Sequence, residues 1–118
     1  MGYEDLRVYQ LAYNLVLEIY QKSSNLPAEE KYGLTSQIRR SAMSIVLNIA
    51  EGYGRKDSAK EFKHFLRNAQ GSCNETRTLI KMSCDLKYLS QEESKKLSEE
   101  YEKLSKMLYR LKENWTDI

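Results

Sequence analysis

The chain has a single proline and five glycines in 118 residues, too few breakers for the many short strands of an all-β fold, and no flexible linker is visible. Valine is scarce as well, three against fifteen leucines, a balance that favours helices over strands. No apolar run approaches the roughly 20 residues that a membrane span needs, so no membrane partner is expected. The opening MGYEDLRVYQ is acidic where a signal peptide is basic and then apolar, which predicts a cytoplasmic protein. The two cysteines, Cys73 and Cys84, stand about 16 Å apart if they share one helix. Bridged Cα atoms sit roughly 4.4 to 6.8 Å apart, so two free thiols are expected.

Chemistry-bearing patterns are equally thin. The one histidine, His64, has no partner at a zinc-ligand spacing. There is no phosphate-cradling glycine loop, no nucleophile elbow, and no pair of Glu-x-x-His motifs for a diiron bundle. Glu51 and Glu75 could pair as carboxylates, but each reads better as the acceptor for an arginine such as Arg39 or Arg40. These absences predict no metal, no cofactor, no catalytic residue and no enzyme.

What is present is a helical pattern. With 41% hydrophobic and 31% charged residues the chain can bury one core, so a single domain over residues 1–118 is expected. Val8, Ala12, Leu15, Val16 and Ile19 recur at three and four, predicting a first helix over about 5–22. Pro27 and Gly33 break the chain, with one helical turn expected between them. Leu34, Ile38, Ala42, Ile45 and Ile49 predict a second helix over 34–53, with Gly52 and Gly54 supplying backbone freedom at its end. Ser58 and Glu61 form a capping-box pattern before Phe62, Phe65, Leu66, Ala69, Cys73, Thr76, Ile80 and Cys84, a third helix over 58–87. Gly71 lies inside it at a cost of about 1 kcal/mol relative to Ala, which suggests a close helix approach there. Ser90 and Glu93 repeat the capping pattern before Leu97, Tyr101, Leu104, Leu108 and Leu111, a fourth helix over 91–114. Four amphipathic helices on short connections predict an all-α, antiparallel up-down-up-down four-helix bundle.

Two faces stand out. On the second helix, Met43 and Leu47 point roughly opposite to Leu34, Ile38, Ile45 and Ile49, with Gln37, Ser41, Ser44, Asn48 and Glu51 in a lane between. A helix apolar on two sides is buried on two sides, which predicts self-association through Met43, Ser44, Leu47, Asn48 and Glu51, with scattered surface apolar residues as the alternative. Charge is also uneven: residues 31–81 carry ten Lys/Arg against four Asp/Glu, a net +6 in a chain of net +2. On the third helix Lys60, Lys63, Arg67 and Lys81 fall within one angular strip, with Lys56 just before it and Arg77 at its margin. Such a strip could neutralise several phosphates of a nucleic acid, or serve only as a solvated outer face.

The runs YEDLRVYQLAYNLVLEIY, LPAEEKYGLTSQIRRSAMSIVLNIAEGYGR and EFKHFLRNAQGSCNE resemble the four-helix-bundle family of proteins encoded in 23S ribosomal RNA intervening sequences. The most specific stretches are QIRRSAMSI running to NIAEGYGR (37–55) and AQGSCNE (69–75); the fourth helix is similar only in pattern. The resemblance implies an antiparallel bundle that assembles into a ring-like homopentamer. The family also includes the accessory variability proteins of diversity-generating retroelements, thought to bind nucleic acid and a reverse transcriptase, so RNA or DNA and such a protein are the partners implied. Arg39, Arg40 and Arg55 match the family's basic positions, and Asn48, Glu51, Gly52, Gly71, Ser72 and Glu75 its signature. The alternative is a protein–protein scaffold with no nucleic-acid binding.

Overall fold

Val8, Ala12, Leu15, Val16 and Ile19 form the inner side of the first helix, α1, Arg7–Ser23. The computed structural model describes residues 2–116. Helix α1 starts later than the spacing predicts, because a 3-10 turn at Tyr3–Asp5 is followed by an extended Leu6 whose side chain packs on the core. Pro27 then leads into a single 3-10 turn, Ala28–Glu30, and Gly33 precedes α2, Leu34–Tyr53. Leu34, Ile38, Ala42, Ile45 and Ile49 are all buried along α2.

Helix α3, Ala59–Asp85, opens at Ser58, whose Oγ accepts from the Glu61 amide at 3.2 Å. The Glu61 carboxylate turns instead to Arg55, 3.6 Å away. The helix ends at Asp85, short of the expected boundary, because Lys87 takes the left-handed conformation (φ 66°) that reverses the chain. Helix α4, Gln91–Asn114, has a complete capping box: Ser90 Oγ accepts from the Glu93 amide at 3.0 Å, and the Glu93 carboxylate accepts from the Ser90 amide at 3.1 Å.

Contacts between helices run in opposite chain directions. Arg39 at the start of α2 donates to Ser23 Oγ at the end of α1, at 2.8 Å. Ser41 meets Thr76 and Ser44 meets Ser72 across α2 and α3, at 2.8 and 3.0 Å. Gln70 and Arg77 of α3 reach Ser105 and Glu102 of α4, and Lys22 of α1 pairs with Glu93 of α4 at 3.0 Å. The result is an all-α four-helix bundle with each helix antiparallel to its neighbours, 49 × 23 × 21 Å overall. Phe62, Leu66, Leu97, Tyr101, Leu104 and Leu108 are fully buried beside the isoleucines of α2, each such apolar side chain contributing roughly 1.5–3 kcal/mol.

Two glycines depart from the roles their positions suggest. Gly52 lies within α2, buried and with no positive φ, so it is not a flexible end. A Cβ there would stand 2.6 Å from Phe65 Cβ and 3.1 Å from a Phe62 ring carbon, so α2 and α3 approach closely at Gly52. Gly71, expected to permit a close approach, is exposed, and a Cβ on it would meet nothing within 4 Å. Cys84, placed by spacing on the inner side, is only half-buried; Ser83 is the buried residue, its hydroxyl donating to the Leu79 carbonyl at 2.8 Å.

At the opposite end from Gly52, Glu30 spans two chain reversals. Its Oε1 accepts from the Leu34 amide at 3.1 Å and its Oε2 from the Tyr88 hydroxyl at 3.1 Å. Burial, and then the neighbouring Glu30 carboxylate, raise the Tyr88 phenol above its ordinary range.

Candidate functional site

Helix α2 presents its second apolar side to solvent. Met43 is 39% and Leu47 58% exposed, whereas Ile45 and Ile49 on the inner side are fully buried. Together with Tyr20, Tyr32, Arg39 and Arg40 they line an open groove of about 710 Å³. Tyr13, Leu17 and Tyr20 of α1, spaced by four and three, continue the exposed apolar surface beside it. The 13, 17, 20 spacing on the first helix was the signal for this surface, which the spacing on the second helix alone does not reveal. Ser44 and Asn48 border the groove but are bonded inside the chain, Ser44 to Ser72 and Asn48 Nδ2 to the Ser44 carbonyl at 2.8 Å. Ser41, placed by spacing in the same lane, is fully buried and holds the Thr76 hydroxyl. Glu51 is exposed and faces Arg55 at 3.5 Å.

The basic residues separate into three groups. Arg39 lies over the Tyr20 ring, 4.6 Å from its centre, while bonding Ser23; Arg40 joins Gln37 to Glu75, the pairing expected for that carboxylate. At the α2–α3 turn, about 22 Å further along α2, Arg55, Lys60 and Arg67 line a recess of about 530 Å³ with Glu61, His64 and Phe65. Lys56 is near but lies over the Tyr53 ring at 4.1 Å, its carbonyl accepting from Trp115 Nε1 at 3.3 Å, and half-buried Lys63 does not line the recess.

Lys81 is the third group. It shares an angular strip with Arg67 but sits about 21 Å away along the axis, where it pairs with Asp85 at 3.2 Å. Gly71, Asn74 and Thr78, all exposed, occupy the interval, so the strip is not a continuous cationic stripe. Arg77 turns to α4, reaching Ser98 and Glu102.

Other reactive groups lie in the interior. Cys73 is fully buried, and burial pushes its thiol up to about 12 against the smaller opposing influence of Arg77. Its neighbour Tyr101 is raised further, chiefly by burial. Among the described residues no three His, Cys, Asp or Glu side chains are grouped to hold a metal, and no helix is long and apolar enough to cross a membrane.

Comparison with curated proteins finds no match. Among solved structures, the chain is similar to a protein of unknown function of the S23 ribosomal protein family from Bacteroides thetaiotaomicron VPI-5482. The two share 23% identity and a TM-score of 0.82, over 91% of this chain and 96% of that one. That likeness establishes the shared fold. Residues 4–110 match the family described as 23S rRNA-intervening sequence protein. With a match over nearly its whole length, the chain belongs to the 23S rRNA-intervening sequence protein family.

Proposed function

We propose that the chain is a non-enzymatic protein that assembles with copies of itself into a ring, pentameric as the resemblance implies. Each copy would bind RNA or another nucleic acid, or a nucleoprotein partner, through the basic residues at its α2–α3 end. The observation that carries the assembly is the second apolar side of α2: Met43 and Leu47 stand in water beside Tyr20 while the inner side is sealed. A second copy supplies the surface that such a helix face otherwise lacks. What supports nucleic-acid binding is the gathering of Arg55, Lys60 and Arg67 around one recess. One copy's cluster is small, and a ring repeats it; multivalent display raises avidity roughly 10²-fold or more when the partner spans several copies.

Sedimentation velocity tests the assembly. The native chain is expected to run as one multi-copy species at micromolar concentration, and Leu47→Asp as a monomer of unchanged helical content; a native monomer rules the ring out. A gel-shift titration with structured RNA tests the binding. Affinity should fall steeply with salt and drop when Lys60, Lys63 and Arg67 are all changed to Glu. No shift at low salt removes the nucleic-acid reading, and a salt-insensitive protein partner would then mark a scaffold.

A further inference from the structure

The chain has two phenylalanines, and the structure treats them differently. Phe62 is fully buried against Tyr53 and Trp115, with ring centres 5.9 and 4.7 Å away. Phe65, three residues on, is only partly buried, with its Cβ seated over Gly52 and its ring lining the recess at the α2–α3 turn. The Arg55 guanidinium carbon lies 5.3 Å from its centre and the His64 ring stands edge-on at 5.7 Å. The Arg55 contact is a favourable cation–π one, but a phenylalanine has no polar tip to offer water, and a flat apolar partner would cover the part of the ring that stays in solvent.

Three cations and one carboxylate surround that ring. Arg55 holds its two carboxylates only at 3.5 and 3.6 Å, with all three side chains at least half-exposed, so an incoming anion can compete for it. Among the described residues Lys60 and Arg67 form no ion pair. A ligand that meets both halves of this surface carries a flat π-face and closely flanking negative charges. An unstacked nucleotide has both; a duplex keeps its bases stacked inside and offers phosphates alone.

We propose that the Phe65 recess takes one unstacked base of a single-stranded nucleic acid, with Arg55, Lys60 and Arg67 meeting the flanking phosphates. This rests on the nucleic-acid reading above and narrows it to single-stranded segments.

The test is fluorescence anisotropy with a labelled oligouridylate and a labelled duplex of the same length, on the native chain and on Phe65→Leu, Phe65→Trp and Lys60→Glu/Arg67→Glu. Leucine keeps the Cβ that packs on Gly52, and thermal melts confirm folding. The native chain is expected to prefer the single strand. Phe65→Leu should lose about ten-fold in single-strand affinity with no change toward duplex, and Phe65→Trp should retain it. The charge-reversed variant should weaken both and flatten the salt dependence. Equal single-strand binding by Phe65→Leu and the native chain overturns the proposal, as does inorganic polyphosphate competing as well as unlabelled oligouridylate. In those outcomes binding survives and only the base site fails; no binding of either nucleic acid at low salt defeats the broader reading with it.

Discussion

Gly52 and Phe65 occupy each other's space: the hydrogen of one sits where the Cβ of any other residue would press on the Cβ of the second, 2.6 Å away. Phe62 closes the same spot from the next position along, 3.1 Å from that point. The α2–α3 contact is therefore set by backbone meeting side chain, and the recess around Phe65 inherits its position from a glycine on another helix.

Gly52→Ala is expected to destabilise the fold by about 1–3 kcal/mol, since the backbone of one helix must shift. Gly71→Ala, where a Cβ meets nothing, should stabilise by about 0.5–1 kcal/mol through helix propensity. Urea melts of the two variants give opposite displacements of the midpoint; equal displacements would contradict this assignment of the glycines.

Ser41 and Thr76 form a buried hydroxyl pair at 2.8 Å, with Ser41 also donating to the Ile38 carbonyl at 3.1 Å and Thr76 close to the Ser72 carbonyl at 2.8 Å. A double-mutant cycle of Ser41→Ala and Thr76→Val should give a coupling of about 1 kcal/mol, because either change alone leaves a buried oxygen short of a partner. Additive losses would mean that each hydroxyl is satisfied by its own helix.

Glu93 accepts from Lys22 and from the Ser90 amide, and these bonds hold its carboxyl below its ordinary value of 4.5 despite partial burial. A carboxyl lowered in the folded state stabilises above the unfolded value and loses that contribution as pH falls through the lowered one. Thermal melts should therefore show Glu93→Gln less stable than the native chain at neutral pH, with the difference shrinking below about pH 4.5. A difference that is constant across this range would assign the loss to packing instead.

The two thiols should differ in reactivity. Cys84 is half-buried and Cys73 fully buried, its thiol pushed up to about 12. Iodoacetamide at neutral pH is expected to modify Cys84 alone in the folded chain, and both after urea, as read by mass spectrometry of the peptides. Equal rates in the folded state would show that the α3 core opens freely.

Much of the bundle was legible in the sequence because apolar spacing survives folding unchanged. Leu34 to Ile49 is buried in the expected rhythm, and Ser90 with Glu93 starts α4 where the pattern places it. Residue spacing encodes angle around a helix, but a strip also has length along the axis: Arg67 and Lys81 share a direction and are parted by the exposed, uncharged Gly71, Asn74 and Thr78. The glycines were misread for a different reason. Gly52 and Gly71 both lack a side chain, and only the neighbouring helix decides which position needs that lack. Phe65 counted as core because its chemistry is that of core, and the structure leaves it only partly buried.

Glu30 gives the far end of the bundle an economy of its own. One carboxylate fastens both the amide that begins α2 and the tyrosine that follows the left-handed turn after α3, so two chain reversals separated by more than fifty positions in sequence share a clasp. Loss of that single carboxylate would remove a fastening from both loops at once, at the end of the bundle remote from the recess.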